Sequence, residues 1–257
     1  MNLQEKQNEA IGIFDSGIGG VTVLKEILKE LPYEKYIYYS DSVNNPYGDK
    51  NQEEIQKICC NIVKYFLKRN CKAIVIACNT ASAKAVEILR EKYKQIPIIA
   101  IEPAYKMVYD NSYNQETLIM ATKGTIESER FNSLLKKYNN NKTYIIGCTG
   151  LADAIEQGDL KKVSSLLEKE VGEYKGKVKN VVLGCTHYPL IQKQIEDIIG
   201  KVTFFNGANG VAMHLKEILT INDMKSTKKI QTIEFIDSKG SKQKEKRFFN
   251  LLKEIKQ

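Results

Sequence analysis

The sequence predicts an α/β protein built as two α/β domains with mainly parallel sheets, with the active site in the inter-domain cleft. Three observations lead there. Short apolar runs alternate with helical patterns through most of the chain, which is the grammar of parallel sheets covered by helices. One piece of that grammar occurs twice: an apolar run, a cysteine, polar residues and a helical stretch. Ala73-Ile74-Val75-Ile76 leads to Cys78, and Val181-Val182-Leu183 leads to Cys185. A boundary near Pro97 to Pro103 leaves one of these cysteines in each unit, so the site belongs between them.

Taken in order, Ile11-Gly12-Ile13-Phe14 is a first strand, stopped by Asp15-Ser16-Gly17-Ile18-Gly19-Gly20, and a helix comes next from about Val21 to Leu31. Tyr36-Ile37-Tyr38-Tyr39 is a second strand ending at Ser40-Asp41, and a loop carries Asn45-Pro46-Tyr47-Gly48. From about Gln52 to Lys68, Ile55, Ile58, Ile62, Tyr65 and Phe66 share one helical face. The Cys78 strand is followed by a helix from about Ser82 to Tyr93. Pro97 to Ile101 is another strand, closed by Glu102-Pro103. The second unit starts with a strand at Thr117 to Met120, a helix from Thr125 to Tyr138 and a strand at Thr143 to Ile146. Helical segments run from about Leu151 to Glu156 and from Leu160 to Tyr174. Then come the Cys185 strand, a helix from about Ile191 to Ile199, a strand from Val202 to Phe205 and a final helix from about Val211 to Leu219.

The 257 residues allow one large or two small domains, and 42% hydrophobic with 27% charged residues describes an ordinary globular protein. No run of about 18 apolar residues predicts a membrane span. The N-terminus Met1-Asn2-Leu3-Gln4-Glu5-Lys6 is polar, without an apolar signal core, so a cytoplasmic location is expected. The net charge of +8 suits an anionic substrate or weak nucleic-acid binding. Its lysines, however, are spread along helix faces and the tail, as in Lys242-Gln243-Lys244-Glu245-Lys246-Arg247, which reads as solvated surface. Neither zinc-finger spacing nor an RNA-binding signature is present, and a nucleic-acid partner is not expected. Six cysteines in such a chain read as free thiols, and two histidines without a CxxC pair argue against a structural metal site.

Cys78 and Cys185 stand where open α/β sheets place their ligands, at the C-terminal ends of strands. A helix N-terminus just after each favours the reactive thiolate. Two such thiols point to one substrate with a thiol on each side. Asn79-Thr80 and Thr186-His187 supply hydrogen-bonding neighbours, or else merely cap helices. His187 is the better proton-transfer partner, because His214 lies within a helical pattern. The Asp15 to Gly20 loop is not a full GxGxxG, which argues against a dinucleotide cofactor. Its glycines instead allow a tight turn and close approach to a small anion, with Asp15 as a possible cap.

Together these residues resemble the glutamate racemases of the cofactor-independent aspartate/glutamate racemase superfamily. The resemblance is carried by Asp15-Ser16-Gly17-Ile18-Gly19-Gly20, Asp41 with Pro46-Tyr47-Gly48, Ala77-Cys78-Asn79-Thr80-Ala81-Ser82-Ala83 and Glu102-Pro103-Ala104. It continues through Ala121-Thr122 with Thr125 and Ser128, and Gly184-Cys185-Thr186-His187-Tyr188-Pro189-Leu190. It covers roughly residues 10 to 220. It implies racemisation of glutamate, with Cys78 acting on D-glutamate and Cys185 on L-glutamate. Asp15 would assist Cys78 and His187 would assist Cys185, with Glu156 a further acidic helper. Ser16, Pro46, Tyr47, Gly48, Asn79, Thr80, Thr122 and Thr186 would hold the amino and carboxylate groups. No cofactor is implied, neither pyridoxal phosphate nor a metal. The product would supply D-glutamate for peptidoglycan, and a homodimer is expected. By the same resemblance, residues 1–98 with about 209–257 form the first domain and residues 99–208 the second. The chain departs from the family at Asn44-Asn45, Thr149-Gly150 and Asn206-Gly207, and beyond about Met224 it resembles the family least. Two other readings stay open: a racemase for aspartate or another acidic amino acid, and a protein- or DNA-binding role suggested by the basic charge.

Overall fold

Strand β1 (Ala10–Asp15) is buried along nearly its whole length, and this decides the architecture around it. A strand covered on both faces needs a continuous apolar sequence and neighbours on both edges. A computed structural model, describing residues 6–112, 114–138 and 141–254, supplies both. β1 pairs in parallel with β2 (Lys35–Ser40) on one side and β3 (Ala73–Ile76) on the other. β4 (Ile98–Ala100) and, late in the chain, β9 (Thr232–Asp237) complete a five-stranded sheet of order β4-β3-β1-β2-β9. A second sheet has the order β6-β5-β7-β8, from β5 (Thr117–Ala121), β6 (Thr143–Gly147), β7 (Asn180–Gly184) and β8 (Thr203–Phe205). Every pairing is parallel. The expected fold class, α/β with parallel sheets, is the one found.

Side-chain alternation sends successive residues to opposite faces. Ile11, Ile13, Ala73 and Val75 pack under α1 (Val21–Glu30), α10 (Ala208–Ile221) and α11 (Lys242–Glu254). Phe14, Ile74 and Ile76 face α2 (Gln52–Lys68) and α3 (Asn79–Lys92). Gly12 leaves room on that second face: a Cβ there would lie 2.6 Å from the Phe66 ring. The second sheet is covered on one face by α7 (Leu151–Gln157), α8 (Leu160–Val171) and α9 (Gln192–Ile199). On the other it carries α4 (Tyr105–Ser112) and α6 (Glu129–Tyr138).

Three differences from the sequence reading have local causes. The helix expected over 125–138 is two helices, α5 (Lys123–Ile126) and α6, because two hydroxyls cap separate starts. The Thr122 Oγ1 accepts from the Thr125 N–H, and the Ser128 Oγ accepts from the Phe131 N–H. The lysine-rich tail is ordered as β9 and α11. Phe248 and Leu252 bury one narrow stripe of α11, and Phe248 meets Tyr38 and Phe235 with ring centroids 4.5 Å apart in each pair. α4 was also unforeseen, since only Tyr105 and Val108 of its eight residues are buried.

Candidate active site

The loops after β1, β3, β5, β6 and β7 converge at the C-terminal edges of both sheets. The cleft there is lined by both candidate thiols, together with Ser16, Pro46, Tyr47, Gly48, Asn79, Thr80, Thr122, Thr186 and His187. Asn45, Cys148, Thr149 and Gly150 line it as well. Cys78 is 6% exposed and Cys185 is 7% exposed, so each retains a small opening to the cleft. Asp15 and Glu156 are buried behind its wall, in contact with groups that form it.

Cys78 occupies the N-cap position of α3 with extended backbone, and its carbonyl accepts from the Ser82 N–H at 2.9 Å. Its Sγ lies 3.9 Å from the Ser16 Oγ. The helix start alone favours thiolate. Burial and the nearby Asp15 charge outweigh it, against the Ala81 N–H and Ser16, and push the Cys78 thiol well up. Cys185 departs from the sequence expectation, because no regular helix begins directly after it. Tyr188–Ile191 forms a single 3-10 turn before α9 starts at Gln192. Pro189 has no N–H to give a regular helix there.

His187 comes off this turn with its Nδ1 3.8 Å from the Cys185 Sγ. Its Nε2–H donates to the Glu156 Oε2 at 2.7 Å, and the same oxygen accepts from the Ile18 N–H at 3.0 Å. Lys244 Nζ lies 2.7 Å from the other Glu156 oxygen. Burial alone would neutralise both members of the pair. For His187, bonds to Cys185 and Glu156 overcome burial and hold the imidazole charged well above its ordinary range. For Glu156, His187 and Lys244 overcome burial and bring the carboxyl down to about 2. A buried imidazolium beside Cys185 would stabilise a thiolate there.

Asp15 accepts from the Gly20 N–H at 2.7 Å and from the Thr186 Oγ1 at 3.2 Å, which ties the two sheet edges together. Burial raises its carboxyl, partly countered by His187. The Thr22 Oγ1 donates to the Thr186 carbonyl at 3.1 Å. The β1–α1 loop can approach this closely because of its glycines. A Cβ on Gly19 would lie 2.5 Å from the His187 Nδ1, and one on Gly17 would lie 2.4 Å from Glu156 Oε2.

Around the mouth, the Tyr47 hydroxyl donates to the Asp41 Oδ2 at 2.6 Å, fixing the Pro46-Tyr47-Gly48 loop, whose Asn45–Pro46 bond is cis. Thr80 and Thr122 hydroxyls meet at 2.8 Å. The Asn79 carboxamide is buried, and both its polar atoms lack a partner among the described residues. A buried amide with two unsatisfied polar atoms in a cleft wall is suited to a polar ligand. His214 lies elsewhere, exposed on α10 beside Glu217. No cluster of metal-binding side chains occurs among the described residues.

Sequence reading missed two groups. Cys148 directly follows β6 after Tyr144-Ile145-Ile146-Gly147, the same strand–Cys–polar pattern that singled out the other two thiols. Burial pushes it up to about 12, although Tyr188 opposes that. Lys244 was read as solvated surface, yet its side chain is 19% exposed and faces Glu156. Nothing in the local pattern distinguishes it from the neighbouring lysines.

Two parallel-sheet units with a thiol from each lining one polar cleft define a class of site suited to two-sided proton transfer. Comparisons with known proteins agree. The family model for Asp/Glu/Hydantoin racemase matches residues 11–215, and the chain belongs to that family. It is 43% identical over 228 residues to a glutamate racemase of Clostridium perfringens, covering 87% of this chain and 88% of that protein. The crystal structure of glutamate racemase from Francisella tularensis in complex with D-glutamate superposes with a TM-score of 0.81 at 31% identity, covering 96% of this chain and 94% of that one. Glutamate racemase isoform RacE1 from Bacillus anthracis gives 0.82 at 29%, with the same coverage.

Proposed function

We propose that this protein interconverts L- and D-glutamate without a cofactor, by proton transfer between the substrate α-carbon and two cysteines. The observation that carries the reading is the placing of Cys78 and Cys185 on one cleft, one from each sheet. In the L-to-D direction the Cys185 thiolate takes the α-proton and becomes a thiol. The Cys78 thiol gives its proton to the opposite face and becomes a thiolate. The reverse direction exchanges the two roles. The raised Cys78 thiol suits the proton donor of the first direction. His187 and Glu156 support Cys185, and Asp15 supports Cys78. Ser16, Asn79, Thr80, Thr122 and Thr186, with the Pro46-Tyr47-Gly48 loop, hold the amino and carboxylate groups. Donors fixed beforehand in a water-poor cleft stabilise the carbanion-like state as charge develops.

The 43% identity to a glutamate racemase favours glutamate over aspartate. The same resemblance supports a homodimer in the cytoplasm, providing D-glutamate for the cell wall. No helix among the described residues is long and apolar enough to cross a membrane. The return of α10, β9 and α11 to the first sheet supports a first domain made of an N-terminal part and a returning C-terminal segment, but the expected break at 98/99 cuts β4, and Ile99, Ile101 and Ala208 pack with the first sheet. Circular dichroism of L-glutamate, incubated with enzyme that has been chelated and exhaustively dialysed, tests the function. The signal should decay to zero, because enantiomers are equal in free energy. A signal that decays only after adding pyridoxal phosphate or a metal overturns the reading, and decay with L-aspartate alone moves the substrate.

A further inference from the structure

We propose that Lys244, on the C-terminal helix α11, is a positioning residue for Cys185: it fixes Glu156, which fixes His187 against the thiol. This assignment rests on the function proposed above. It joins a part of the chain beyond residues 11–215, which the family model matches, to the acid/base machinery.

The contacts form an unbroken series. Lys244 Nζ is 2.7 Å from Glu156 Oε1, Glu156 Oε2 is 2.7 Å from His187 Nε2, and His187 Nδ1 is 3.8 Å from Cys185 Sγ. Lys244 and Glu156 are held in place independently of each other. Lys244 donates to the Ser42 Oγ at 2.5 Å and lies 3.9 Å from Asp237 Oδ1, while Ser42 itself donates to Asp237. The backbone that bears Glu156 is held by the same helix, since the Arg247 guanidinium donates to the carbonyls of Ile155 and Glu156. These are carbonyls of the last turn of α7, which ends at Gly158 with φ +76°.

A carboxylate has two oxygens and can turn about its terminal torsion. Ile18 and His187 occupy one oxygen of Glu156, and Lys244 is the cation that faces the other. The buried Asp15 and Tyr38 feel the Glu156 charge without pairing it. Lys244 therefore sets both the rotation and the charge of the group that orients His187. An exposed helix lysine does neither.

The test compares Lys244→Met, Lys244→Arg and a control, Lys246→Met, at an exposed position of the same helix. The first readout is elimination from the L and D forms of 3-chloroglutamate. One thiolate takes the α-proton, the C–Cl electron pair leaves as chloride, and water hydrolyses the resulting enamine to 2-oxoglutarate and ammonia. Only one thiol is needed for each enantiomer. Lys244→Met should slow elimination from the L form by about 10- to 100-fold, as displaced catalytic groups do, and leave the D form within about 2-fold. Lys244→Arg should restore most of the L rate, and Lys246→Met should match wild type. Equal slowing of both enantiomers, or of neither, overturns the assignment. The second readout needs no turnover: the rate at which iodoacetamide alkylates Cys185 in a Cys78→Ser background, measured on the Cys185 peptide by mass spectrometry. It should fall with Lys244→Met and recover with Lys244→Arg. An unchanged rate also overturns the assignment. A wild-type protein that fails to racemise glutamate removes the proposed function, and the alkylation rates still decide the role of Lys244.

Discussion

Replacing Glu156 by Gln keeps the shape of the side chain and removes the charge on which the Cys185 side depends. Two N–H donors, Ile18 N and His187 Nε2, and the Lys244 ammonium converge on this carboxylate. A glutamine offers one acceptor oxygen and an NH2 group, so in either orientation a donor faces a donor. The carboxyl ordinarily titrates at 4.5 and is brought down to about 2 in the folded protein, which corresponds to a contribution on the order of 3 kcal/mol. The sign comes from proton counting. Between pH 4.5 and about 2 the unfolded chain binds the proton that the folded protein excludes. The contribution is therefore complete above pH 4.5 and is lost as pH falls toward 2. By pH 3 about 2 kcal/mol of it has gone. Urea unfolding of wild type and Glu156→Gln from pH 7 to pH 3 measures the difference directly. The gap should narrow as pH falls from about 5 to 3, while glutamate racemisation in the variant falls by roughly 10²-fold or more at pH 8. A gap that stays constant to pH 3, or no gap at any pH, would refute the claim that ionised Glu156 is held by His187 and Lys244.

Cys78→Ser and Cys185→Ser should both fold and lose nearly all racemisation, because serine is a far weaker base. Elimination from 3-chloroglutamate should survive for the D form in Cys185→Ser and for the L form in Cys78→Ser; wild-type racemisation in either variant would end the two-thiol mechanism. Asp15→Asn removes a charge that helps to hold Cys78 as the thiol. Alkylation of Cys78 at pH 8 should therefore become faster while turnover falls about 10²-fold, and unchanged alkylation would return Asp15 to a capping role. Gly19→Ala places a Cβ 2.5 Å from His187 Nδ1. Its kcat should fall by at least about 10-fold and its melting temperature should drop, and normal kcat would mean that the loop and imidazole move freely.

Much of the site was legible because strand ends announce themselves. An apolar run that stops at a cysteine or an aspartate, with a helix after it, puts that residue on the ligand edge of a parallel sheet whatever else the chain does. Cys78 and Cys185 stand out this way, Asp15 reads from its loop only as a possible cap and is placed beside Cys78 by the resemblance, and Cys148 satisfies the same rule without being taken up. Glu156 and its partners were a different problem. The contact between Glu156 and His187 joins residues 31 apart, and Lys244 arrives from 88 residues further along the chain than Glu156. Helical periodicity places Phe248 and Leu252 on the buried side of α11 but says nothing of what faces the lysine at its first turn. The electrostatic sign of Cys78 was misread for a related reason. A helix N-terminus is visible in sequence, whereas the burial and the Asp15 charge that outweigh it depend on packing.

The join between the two sheets is built from a different material than either half. The buried members of each apolar cluster come from one sheet and its own helices. Leu190 packs against apolar clusters of both halves, but many contacts across the join are polar: Thr22 to the Thr186 carbonyl, Thr186 to Asp15, Ile18 to Glu156, Thr80 to Thr122 and Asn45 to Asp153. Separating apolar faces costs about 25 cal/mol for each Å² exposed. A neutral hydrogen bond exchanged for one to water changes the free energy by only about 1 kcal/mol. Both thiols are more than nine-tenths buried, and each meets the cleft through a small opening at this join. A polar join closes specifically, through fixed donors and acceptors, and still opens at modest cost. Two ion pairs also cross it, Lys244 with Glu156 on the Cys185 side and Arg130 of α6 with Glu87 of α3. The surroundings of the two thiols are still unequal: Cys78 lies beside the Ser16 hydroxyl, whereas Cys185 lies beside His187, whose ion pair with Glu156 is buried within the second unit.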